Sequence, residues 1–126
     1  MMTEDYVSFE TAKLLKEKGF NWNTDKQYDL DKIVGDYNIT DRSRNPERYL
    51  DAPSLGMAMK WLREVHKLFI FISPWTMLEN NIQYYFEIRE IKTHDFETLY
   101  DYTSKELDSF EKVAEAAIKY CLENLI

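Results

Sequence analysis

The sequence predicts a single α+β domain over residues 1–126, an antiparallel sheet of about three strands packed by three helices. The expected order is helix, irregular or β segment, helix, three strands, helix. Three observations carry this. Apolar residues recur at helical spacing near both ends and in the middle, and after residue 67 the period changes abruptly to two. Gly and Pro total only six of 126 residues, about 5% against a usual figure near 12%, which argues against a turn-dense all-β fold.

The first helix is announced by Ser8-Phe9-Glu10: Ser8 caps free backbone N–H groups, and Glu10 sets negative charge in the first turn. Phe9, Ala12, Leu14 and Leu15 form its apolar stripe, and residues 1–7 before it are expected as a loose tail. Gly19 stops the helix in a left-handed conformation, and Phe20 folds back on Leu15. From 21 to 51 no single period holds, although strands are expected near 26–30 and 33–39. Pro53-Ser54 opens the second helix, whose stripe is Leu55, Ala58, Met59, Leu62 and Val65 or His66.

Leu68-Phe69-Ile70-Phe71-Ile72 is apolar on both faces and is expected as a central strand, interrupted by Ser73-Pro74. Glu79-Asn80-Asn81 reads as a hairpin connection. Ile82 to Lys92 alternates cleanly, with Ile82, Tyr84, Phe86 and Ile88 on one face and Gln83, Tyr85, Glu87 and Arg89 on the other. A third strand is expected over 96–102. Ser109-Phe110-Glu111 repeats the first helix start, followed by an apolar stripe of Phe110, Val113, Ala114, Ala117, Ile118, Cys121 and Leu125.

Net charge is −7, distributed as −3 over residues 1–52, +1 over 53–92 and −5 over 93–126. Such acidity with 15% aromatic residues is unlike a disordered acidic tail or a basic nucleic-acid binder. The start Met1-Met2-Thr3-Glu4-Asp5 lacks a secretory pattern. The longest uncharged run, 68–78, is eleven residues, short of the roughly 20 a membrane span needs, so a cytoplasmic protein without membrane contact is expected.

Chemistry-bearing residues are sparse. His66 ends an amphipathic helix, His94 precedes Asp95 at a turn, and Cys121 lies on an apolar stripe; no spacing joins them into a triad or zinc set. The run from Asp36 to Glu47 resembles a calcium loop only loosely, with Asp41 where glycine is required. No catalytic constellation, cofactor or metal is therefore expected, and the protein is expected not to be an enzyme.

Two binding surfaces stand out. Trp22, Tyr28, Tyr37 and Tyr85 are candidate interface residues, for a protein partner or a second copy, on the segment 21–51 and on a sheet face that three helices leave uncovered. Arg42, Arg44 and Arg48, with Lys60, Arg63 and Lys67 on the second helix, are candidate phosphate contacts for an alternative nucleic-acid-associated module.

Three stretches, 8–20, Ala52-Pro53-Ser54-Leu55 through Met59-Lys60-Trp61-Leu62-Arg63-Glu64-Val65-His66, and Phe110 to the end, resemble short uncharacterised proteins of prophages and mobile elements in gut anaerobes. The resemblance covers about half the chain and implies an accessory protein in a bacterial cytoplasm; it brings no catalytic residues.

Overall fold

The computed structural model describes residues 5–38, 42, 44, 46–78, 81–92, 95–104 and 106–126. The longer helices among the described residues are α1 (Phe9–Glu17), α2 (Leu55–His66) and α3 (Phe110–Tyr120), the last continuing into a wider π-turn over Cys121–Leu125. One sheet contains β4 (Leu68–Leu78), β5 (Asn81–Ile91) and β6 (Phe96–Thr103), antiparallel with β5 central. A second, small sheet joins β1 (Gln27–Tyr28), β2 (Val34–Gly35) and β3 (Leu50–Asp51) in the order β2-β1-β3. The molecule is α+β, with one sheet more than the sequence pattern announces.

Helices α1, α2 and α3 start by the same device. The Oγ of Ser8, Ser54 and Ser109 accepts from the backbone N–H three residues on, at 3.2, 3.1 and 3.2 Å. At the end of α1, Gly19 (φ +94°) donates its N–H to the Lys16 carbonyl at 3.1 Å, and Phe20 donates to the Leu15 carbonyl at 2.9 Å. This reversal drives Phe20 into the core, edge-on to Trp61 at 5.5 Å. Helix α2 ends on Lys67, which takes a left-handed φ of 59° so that Leu68 can enter the sheet at once.

The core gathers on one face of the large sheet. Leu68, Phe86 and Ile88 meet Trp61 and Leu62 of α2 and Val113, Ala117 and Ile118 of α3, all buried. Helix α2 packs on β4, α3 packs on β4 and β5, and α1 packs on α3 and β3. One carboxylate ties α1 to α3: Glu115 Oε1 accepts from the Ser8 N–H at 3.1 Å and the Thr11 hydroxyl at 2.5 Å.

Several expectations change. Leu68–Ile72 belongs to an edge strand, not a central one, and Phe71 is exposed on the face away from the helices. The same edge position lets β4 run on through Pro74, whose missing N–H costs no ladder bond there, with a register shift between Pro74 and Thr76. Phe110 is exposed rather than part of the α3 core stripe, because the first residue of that helix faces away from the sheet. Residues 5–7, expected as tail, are held: Val7 is buried, its N–H donates to Pro53 O, and Tyr6 bridges Ser54. Glu79, Asn80 and His94 lie outside the described residues, as does part of the Asp36–Glu47 run.

Two glycine substitutions test this account with opposite signs. Gly19→Ala forces a side chain into a left-handed position and is expected to lower stability by about 1–2 kcal/mol. Gly56→Ala, in the first turn of α2 with open space where its Cβ would stand, is expected to raise stability by up to about 1 kcal/mol. Urea denaturation of the two variants beside the parent chain reads both.

Candidate functional site

Between β1 and β2 the chain turns over Asp29–Ile33, and this turn is braced from several directions. The Asp29 N–H donates to the Ile33 carbonyl at 3.1 Å, and the Lys32 N–H donates to the Asp29 carbonyl at 3.0 Å. Asp29 Oδ1 accepts from the N–H groups of Asp31 (2.9 Å) and Ile33 (3.0 Å). The Tyr37 hydroxyl lies 3.0 Å from Asp29 Oδ2 and 2.8 Å from the Ile33 carbonyl, sharing its proton between them. Lys32 takes a φ of 61°, which closes the turn and brings its Nζ over the Phe9 ring, 5.2 Å from the centroid.

The base of the hairpin is fixed by Gln27, a fully buried amide. Its Oε1 accepts from the Tyr37 N–H at 3.3 Å and its Nε2 donates to the Thr24 carbonyl at 3.0 Å. The Tyr37 ring lies beside Gly35, where a Cβ would stand 3.4 Å from it. Tyr49 packs on the other side of Tyr37 with ring centroids 5.0 Å apart.

These bonds shift two titrations. The backbone N–H of Ile33, with the Tyr37 hydroxyl and the Asp31 N–H, holds the Asp29 carboxyl below its ordinary range. Desolvation, and then the neighbouring Asp29, pushes the Tyr37 hydroxyl up.

What this bracing presents is apolar. Leu30, Ile33 and Val34 are 68%, 59% and 43% exposed, Leu30 the most exposed of the large hydrophobic residues described. Leu30 also borders a groove of about 480 Å³ between α1 and the small sheet. Phe9, Tyr28, Tyr49 and Leu50 form its apolar surface, with Phe9 and Tyr28 edge to face at 5.6 Å. The Tyr28 hydroxyl donates to the Val7 carbonyl at 2.6 Å, and desolvation is the larger cause of its raised pKa, Glu115 the smaller. Around the rim stand Lys13, Lys16 and Arg48, none in an ion pair among the described residues, together with Glu17 and Glu47.

The candidate interface residues are thus divided. Tyr28 and Tyr37 meet at this site, one as groove wall and one as brace. Trp22 is half-buried against Phe20 and the core. Tyr85 lies on the uncovered face of the large sheet, its hydroxyl 3.4 Å from Glu87 Oε2. On that face the Arg89 guanidinium sits between the rings of Phe71 (4.5 Å) and Phe96 (4.7 Å) and pairs with Glu87, whose carboxyl is held low chiefly by that bond.

The six candidate phosphate contacts do not converge on one surface. Arg42 Nε donates to the Tyr37 carbonyl at 3.2 Å, Arg44 is exposed, and Arg48 lies at the groove. Lys60 and Arg63 on α2 and Lys67 just past its end are exposed and without an acidic partner among the described residues. The apolar tip was not singled out by sequence, since aliphatic residues in an aperiodic segment give no sign of facing water.

The remaining reactive groups are quiet. Burial pushes the Cys121 thiol up to about 12, far from a reactive thiolate. His66 packs edge-on against Trp61 at 4.8 Å, with its Nε2 buried and without a partner. Among the described residues no group of three or more His, Cys, Asp or Glu is gathered for a metal, and no helix is long and apolar enough to cross a membrane.

The brace predicts a pH response confined to the hairpin. Because the folded Asp29 pKa lies below its unfolded value, its contribution is complete above the ordinary carboxylate range, about 4, and fades as pH falls through the lower folded value. The protection of the Asp31 and Ile33 amides, measured as exchange relative to an unstructured peptide at the same pH, is expected to fall there, and equally at neutral pH in Asp29→Ala, while protection in β5 and α3 stays unchanged. Comparison with protein-family models, curated proteins and solved structures returned no match.

Proposed function

We propose that this chain is a non-enzymatic accessory protein that acts through protein–protein contact, with the hairpin of residues 27–35 as its contact surface. The observation that carries this is the braced tip, where three aliphatic side chains are exposed on a turn already held by Asp29, Tyr37 and Gln27. A preformed turn loses little conformational entropy on docking, and exposed aliphatic groups gain most from losing water. The adjoining groove extends the same surface. The resemblance to short proteins of prophages and mobile elements supports a bacterial cytoplasm as the setting.

A second reading has one observation in its favour. Lys60 and Arg63 on α2, with Lys67 at its end, are exposed cations without an ion-pair partner among the described residues, which suits a nucleic-acid-associated module. They are only three, Arg42 is bonded to the Tyr37 carbonyl, Arg48 lies apart at the groove, and the net −7 opposes approach to a polyanion.

Site-specific photocrosslinking tests the first reading. With p-benzoylphenylalanine at Ile33, irradiation of cells expressing the chain is expected to give a discrete protein adduct that the same probe at Lys60 does not give. No adduct from position 33, or the same adducts from both positions, overturns it.

A further inference from the structure

We infer that the occupant of the groove beside α1 is the hairpin tip of a second copy of this chain, so that two copies pair about a two-fold axis. This rests on the hairpin being the contact surface. The argument starts from where the two features lie. Tip and groove are neighbours on one surface, and Leu30 belongs to both, lining the groove while remaining 68% exposed. A surface bearing a projection and a recess side by side can be self-complementary, because a two-fold rotation sets each projection in the other's recess. The recess, at about 480 Å³ and lined by Phe9, Tyr28, Tyr49 and Leu50, suits the aliphatic side chains of Leu30, Ile33 and Val34.

Charge agrees with this arrangement. Asp29 and Asp31 against Lys32 leave residues 27–35 with a net −1, and Asp36 follows directly. Across the groove, Lys13, Lys16 and Arg48 against Glu17 and Glu47 leave the facing rim at +1. Within one molecule the three cations have no ion-pair partner among the described residues, and the Asp29 oxygens are already taken by Asp31, Ile33 and Tyr37. Asp31 and Asp36 are exposed, and in the pair they meet the partner's cations. The other apolar surface, the open face of the large sheet, carries no such complement: its Arg89 is already stacked between two rings and paired with Glu87.

Sedimentation equilibrium on the full chain tests the pairing. The weight-average mass is expected to rise toward twice the chain mass over a range on the order of 10 µM to 1 mM. Leu30→Ser with Ile33→Ser, both at exposed positions, is expected to weaken pairing by about tenfold or more with an unchanged circular dichroism spectrum. Charge exchange is the sharper arm. Asp31→Lys alone and the double variant Lys13→Glu/Arg48→Glu alone should each stay monomeric, while their mixture should pair, since each altered hairpin then meets a rim of opposite sign. A strict monomer at the highest concentration, pairing untouched by the serine changes, or no rescue in the mixture overturns the inference. The contact reading is judged separately: a position-33 adduct of mass other than twice the chain, with a monomeric protein, sustains that reading and removes self-pairing, whereas no adduct removes both.

Discussion

The site depends on one buried amide. The strands of the small sheet are two residues long, and a ladder so short supplies too few bonds to hold three segments in place. Gln27 does what the ladder cannot. From the central strand its side chain reaches back to Thr24 and forward to Tyr37, and it pairs through the backbone with both Gly35 and Asp51. Both ends of the amide are satisfied, so its burial is tolerable; removing it would strand the Tyr37 N–H and the Thr24 carbonyl, at about 1–3 kcal/mol for each group left buried without a partner. The position of Tyr37, and through it the Asp29 turn, follows from that bond.

The groove's other wall is held by a different tie. Glu115 reaches from α3 to the N-terminus of α1, where a carboxylate is favoured both by the free N–H groups and by the positive end of the helix. The Tyr28 hydroxyl closes the junction by donating to the Val7 carbonyl. The helix that lines the groove is therefore fixed to the main core, and the hairpin that borders it is fixed to that helix. Bracing, rather than apolar content alone, separates this surface from the open sheet face, where Arg89 covers Phe71 and Phe96 from within the same chain.

Most of the main fold was legible in the sequence, because its signals are periodic or capping signals. The three Ser caps, the Gly19–Phe20 stop and the alternation through Tyr84, Phe86 and Ile88 all correspond to local physics and were found where expected. The rank of β4 was not legible: five consecutive apolar residues look the same whether a second layer of helix or a stacked arginine covers them. Segment 21–51 resisted for a different reason. Its order comes from side-chain to backbone bonds of Asp29, Tyr37 and Gln27, which leave no period. Tyr28 and Tyr37 were noticed as aromatics, but one is a wall and the other a brace. The residues that face water, Leu30, Ile33 and Val34, have the composition of a core and are outside it only because of the turn.

The central claim is that the tip is rigid and exposed at once, and nuclear magnetic resonance of the monomeric Lys13→Glu/Arg48→Glu variant, whose hairpin is unaltered, tests it most directly. Backbone order parameters across Asp29–Ile33 should stand near those of rigid backbone, about 0.85, while a soluble paramagnet strongly relaxes the methyl groups of Leu30, Ile33 and Val34. Order parameters below about 0.6, or methyl groups shielded from the paramagnet, would contradict the account.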